Sequence, residues 1–301
     1  MWKVTQLLVK GAPVVAAVTG DREAVKDRPS TRTRDAGCLE GGGDSNGTAP
    51  LCSGNQPVKI VMNCYLPSTR SDSVKVHRQA TALVGRLSQA HADFSKWWVV
   101  PDGPKDPYVP LDDADAVSAS IRRSDRRFFN EFPSAESNGS IGVLLTNSES
   151  DKQWRERGKV FLSVKPASGR ICLEISRVSE LYPTPGDVVW SLLKVLSSDP
   201  RVTFANTNIV QRVAEEIILY SYDRSVYQHR EFLGWMGYVD KPLSADQLPQ
   251  AARLEAQGRG TLILATEVLD LADHAAIEQT NRTEIGLAEL GLLPVIDPSL
   301  W

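Results

Sequence analysis

The chain is poor in the residues that build metal and redox sites. Among 301 residues there are four cysteines and four histidines. Cys38, Cys52, Cys64 and Cys172 form no CxxC pair, which leaves no thiol–disulfide motif and no zinc-ribbon spacing. Cys64 and Cys172 fall in apolar, strand-like runs, where a free cysteine behaves as a small hydrophobe; buried free thiols in a reducing compartment are the expectation. His77, His91, His229 and His274 lie far apart, and none has a second histidine or cysteine at ligand spacing, so no metal and no cofactor is predicted. No stretch approaches the roughly 18 apolar residues of a membrane span, so no membrane partner is predicted. Lys3 and the apolar run from Gly11 to Val18 sketch a signal peptide, but Lys10 interrupts it and Pro13 falls early.

Catalytic signatures are equally sparse. There is no G-x-S-x-G elbow and no G-x-x-x-x-G-K-[ST] loop. Gly41-Gly42-Gly43 does not stand between a strand and a helix, as a phosphate cradle requires. Charge of one sign is lacking overall. The formal net charge is −3, and 24% of residues are charged, which gives no global case for nucleic acid. The distribution is uneven. Residues 242–301 carry 3 Lys+Arg against 9 Asp+Glu, whereas residues 58–241 carry 24 against 22.

The order of patterns defines the organisation. Residues 1–57 are predicted to be a disordered extension or an overlong gene start, because the Gly/Ser-rich tract from Asp35 to Gly54 has too little apolar surface to offset its ordering entropy. Residues 58–301 are expected to form one domain. Val58 to Tyr65 reads as a strand, and residues 74–92, after Ser73 as N-cap, as a helix with Val76, Ala80, Leu83, Val84 and Leu87 on one face. Further strands are predicted at 96–100, 140–146, 160–164, 171–175, 202–204, 235–239 and 261–265, with a hairpin at Pro166-Ala167-Ser168-Gly169. Asp112, Asp113 and Asp115 open a predicted helix to about Phe129; others start at Pro185, span 245–257 and span 275–290. The run from Ile209 to Tyr220 fits helix or strand. The elements do not alternate as βαβ units, so the expected class is α+β, a mainly antiparallel mixed sheet with packed helices.

Three groups of residues stand out. Trp97, Trp98, Gly234, Trp235, Gly237 and Tyr238 lie in aromatic, apolar stretches and are expected to be structural core, because large aromatics contribute most by burial. In a strand, Trp97 and Trp98 point to opposite faces. Arg122, Arg123, Arg126 and Arg127, followed by Phe128-Phe129, have the composition of a nucleic-acid contact, but their i, i+4 spacing near a helix end also suits a solvated face. Glu267, Asp270 and Asp273 head the acidic C-terminal segment and are the candidate partner-binding residues, set against a plain solvated face.

Three stretches, the strand–helix–strand start from Val58 to Val100 with His91-Ala92-Asp93-Phe94-Ser95-Lys96-Trp97-Trp98-Val99, residues 232–266 and residues 286–294, resemble the Imm52 immunity proteins of bacterial polymorphic toxin systems. That resemblance implies a cytoplasmic, non-enzymatic protein that binds and neutralises a cognate secreted toxin. Such families often meet nuclease effectors of restriction-endonuclease-like fold, some delivered by type VI secretion. No direct nucleic-acid contact is implied. The alternatives are a hydrolase with dispersed catalytic residues and a nucleic-acid-binding regulator using Arg122 to Arg127.

Overall fold

The computed structural model describes residues 58–103, 106–134, 139–157, 160–268 and 270–300. The extension predicted for residues 1–57 lies outside them. The described chain is an α+β fold around one sheet of eleven strands. These are β1 (Val58–Tyr65), β2 (Trp98–Val99), β3 (Val109–Pro110), β4 (Val143–Thr146), β5 (Val160–Lys165), β6 (Arg170–Ile175), β7 (Phe204–Val213), β8 (Glu216–Leu219), β9 (Met236–Val239), β10 (Arg253–Gln257) and β11 (Gly260–Leu264). Their order is β10-β11-β9-β7-β1-β6-β5-β4-β2-β3, with β8 beside the far end of β7. Every strand pairing is antiparallel.

Helices α1 (Ser73–Ala90), α2 (Ala114–Glu131), α3 (Asp151–Arg157), α4 (Val178–Leu181), α5 (Pro185–Ser197) and α6 (His274–Glu289) complete the fold. α1 and α5 put their apolar stripes, including Val76, Leu83, Leu87, Val189 and Leu193, into one large core with Ile60, Met62, Leu162 and Leu173 of the sheet. A smaller core, with Phe204, Leu233, Val239, Leu248, Ile263 and Leu287, covers the opposite face at the C-terminal end of the sheet. That second cover makes β7, β9 and β11 buried on both faces, whereas β1 alternates buried and half-buried along its length.

Several boundaries differ from the sequence reading. Asp72, not Ser73, caps α1, its Oδ1 accepting from the Lys75 N–H at 2.8 Å. The helix expected at 245–257 is absent. Pro249 has no N–H to give, and Arg253–Gln257 pairs with β11 across a turn where Gly258 takes φ 56°. The ambiguous run is a strand pair, β7 and β8, joined at Ala214 with φ 54°. No Gly or Asn marks that turn, so it carries no hairpin signal.

Candidate interaction surface

The aromatic residues are mostly where packing requires them. Trp97 is buried and donates its Nε1–H to the Phe94 carbonyl at 2.8 Å, and Trp235 is buried with its Nε1–H on the Thr266 carbonyl at 2.9 Å. Tyr238 is buried as well. Trp98 is not core: it is half-buried, because it faces the side of the sheet away from α1 and α5. Gly234 has φ 70°, and a Cβ there would meet the Thr207 carbonyl oxygen at 2.0 Å. Gly237 admits no Cβ either, with Leu233 Cδ1 at 2.2 Å and the Ala205 carbonyl oxygen at 2.6 Å.

The acidic residues proved unequal. Asp273 is the N-cap of α6, its Oδ1 accepting from the N–H groups of Ala275 and Ala276 at 2.9 and 3.2 Å. Asp270 Oδ1 accepts from Gln211 Nε2 and from the Ala272 N–H, both at 2.9 Å. Gln211 Oε1 in turn accepts from the Leu271 N–H at 2.7 Å, which ties the 266–273 loop to β7. Asp270 and Asp273 therefore shape the loop, and of the three only Glu267 is exposed to solvent. The segment's charge is further reduced by pairing. Glu255 meets Lys194 at 2.5 Å, and Glu278 meets Arg282 at the same distance.

Glu284 of α6 is 1% exposed. Its carboxylate accepts from the N–H groups of Leu233, Gly234 and Val226 at 2.9, 3.1 and 3.3 Å. Burial pushes its pKa up, while those donors pull it down. The sequence signal was available: Ala276, Thr280, Glu284 and Leu287 share one stripe of α6 at helical spacing. Glu231 is the second buried carboxylate. Asn206 Nδ2 lies 3.4 Å from its Oε2, Arg170 Nη2 lies 3.9 Å from its Oε1, and the Arg170 guanidinium sits 4.8 Å over the Tyr65 ring. Burial raises its pKa too, opposed by the Tyr65 hydroxyl and Arg170. Both glutamates hold the 226–234 segment on the sheet. Nearby, burial pushes the half-buried Cys172 thiol up to about 11, which keeps it protonated and unreactive at neutral pH.

Arg122, Arg123, Arg126 and Arg127 are all exposed on α2. Arg122 donates to Ser73 Oγ at 3.4 Å and Arg127 to the Asp102 carbonyl at 3.2 Å. Arg123, Arg126 and Arg127 line an open groove with Asp102, Asp106 and Glu131, so its charges are balanced. Among the described residues no group of three or more His, Cys, Asp or Glu converges as a metal site, and no helix is long and apolar enough to cross a membrane.

Gln211 of β7, in register with Ile218 of β8, also bonds Asp270 and Leu271, which brings the loop after β11 to the part of β7 that β8 pairs with. These two stretches carry three of the exposed large apolar side chains, Ile217 at 65%, Tyr222 at 75% and Val268 at 45% exposure. Glu215, Glu216, Asp223 and Glu267 are exposed beside them. Apolar groups framed by one sign of charge can contribute both burial and orientation to a protein contact.

No family model matches the chain. No curated protein matches it. Among solved structures it is similar to the Pseudomonas aeruginosa T6SS protein PA0821, with a TM-score of 0.41 and 12% identity, over 77% of this chain and 73% of that one. A likeness of that degree carries neither fold nor function across.

Proposed function

We propose that the protein is a cytoplasmic immunity protein, not an enzyme, which binds a cognate bacterial toxin and blocks it. The toxin of choice is a nuclease effector of restriction-endonuclease-like fold, of the kind delivered by type VI secretion. The observation that carries this reading is the acidic, partly apolar corner at β8 and the 266–273 loop. A nuclease presents a cationic cleft to its substrate, and carboxylates framing exposed apolar groups are complementary to it. The Imm52-like stretches support the same reading from the sequence side.

The test is co-expression with the neighbouring toxin gene. Wild type should restore growth. Glu267→Lys should weaken protection while leaving the melting temperature in place, since its side chain is exposed. Reversing Asp270 or Asp273 as well would confound the result, because one ties the loop to Gln211 and the other caps α6. Failure of folded wild type to protect would remove the assignment for that toxin, and substrate turnover by the purified protein would replace it with an enzyme.

A further inference from the structure

Among the described residues the sheet has three margins with no further strand beside them, and they are not alike. β3 ends the sheet on one side with only two residues, one of them Pro110, which has no N–H to offer. β10 ends it on the other side with Arg253 stacked 4.0 Å over Trp190 and Glu255 paired to Lys194. Both follow the usual protection of strand edges by proline, shortness or charge. β8 pairs with β7 alone among the named strands and carries Ile217.

Hydrogen bonding fixes which way the β8 backbone points. On β7, Thr207 N–H donates to Leu233 and its carbonyl accepts from Trp235, so the odd-numbered positions face the β9 and β8 side. Gln211 and Val213 then bond to their register partners Ile218 and Glu216. Ile217, opposite Arg212, must turn its own N–H and carbonyl outward. So must Leu219, whose N–H is answered by Asp223 Oδ2 at 2.7 Å. The Leu219 carbonyl is taken by the π-helical turn Tyr220–Arg224 that it caps, so the free margin of β8 offers one donor and one acceptor, both of Ile217, to an incoming strand.

We infer that the free edge of β8, centred on Ile217, pairs with an extended, basic segment of a protein partner. The charge sets the partner's chemistry. The carboxylates exposed there are Glu215, Glu216, Asp223 and Glu267, against Arg212 and Arg224, while Asp270 and Asp273 are held by the loop and the α6 N-terminus. Strand addition gives affinity through main-chain bonds, and the flanking carboxylates select lysine and arginine. This rests on the immunity reading for the partner's identity, but not for the edge itself.

The probe is a synthetic (Lys-Val)5 amide peptide, with (Glu-Val)5 as its control. The lysine peptide should bind wild type saturably, weaken with added salt, and slow hydrogen exchange at the Ile217 amide. Ile217→Pro removes the outward N–H without touching a β7–β8 bond and should reduce binding about tenfold, the equivalent of one hydrogen bond. Ile217→Thr keeps the donor and should retain most of it, which separates lost pairing from misfolding. Absence of protection at Ile217, or equal binding by Ile217→Pro, would overturn the inference. A second arm uses the neighbouring toxin. Inhibition with Ile217 unprotected discards the edge and keeps immunity, whereas peptide pairing without inhibition does the reverse.

Discussion

The two halves of the sheet are built on different principles. β1, β5 and β6 bury alternate residues against α1 and α5 and leave the other face half-open. β7, β9 and β11 are covered on both faces, and buried polar groups concentrate around them: Asn206, Thr207, Asn208, Glu231, Thr261, Thr266 and Glu284. The singly covered half needs only apolar area on one side. The doubly covered half is roofed by non-regular chain between residues 225 and 235, whose backbone groups must be satisfied inside the protein. Glu284 and Glu231 meet that need, so this half depends on a few directional contacts.

The comparison can be broken by mutation. Trp235→Ala should lower unfolding free energy by about 3–5 kcal/mol, while Trp98→Ala, on the half-open face, should cost clearly less. Equal losses in urea titrations would mean that the two faces are equally packed. Next in size, Glu284→Ala strands the buried N–H groups of Leu233 and Gly234 and the half-buried one of Val226, at a cost of about 3 kcal/mol. Its counterpart on the half-open face, Glu174→Ala, removes a 2.7 Å pair with Lys59 and should cost less than about 1 kcal/mol.

A smaller effect sharpens the comparison through pH. The Glu284 pKa is raised in the folded state, so its contribution to stability is fully present below its unfolded value, near 4.3, and is lost as pH rises through the folded value. Glu284→Gln cannot ionise. The stability deficit of that variant relative to wild type should therefore shrink between pH 4.5 and 7.5, read from paired urea curves. A deficit that grows over that interval would show that the carboxylate is favoured in the fold.

Legibility in the sequence followed that division only in part, since β9 and β11, covered on both faces, were still readable as short apolar runs. The α1 stripe, the β5–β6 hairpin and the strand at Val58 were readable because one covered face produces a clean period of 3.6 or 2. β7 was not, since burial on both faces erases the alternation that separates strand from helix. The β7–β8 turn was hidden by Ala214 taking a conformation usually left to glycine or asparagine. Of the three acidic candidates, Glu267 is exposed, while Asp270 and Asp273 are engaged by the loop and the α6 N-terminus, a difference that a charge count cannot tell. Ile217 escaped notice because its exposure depends on which side of β7 its strand lies.

The decisive measurement is to titrate the purified protein into a purified candidate nuclease toxin and follow nuclease activity. The account predicts loss of activity that is complete at one molar equivalent, with association slowed by salt. Full toxin activity in the presence of excess folded protein would contradict it.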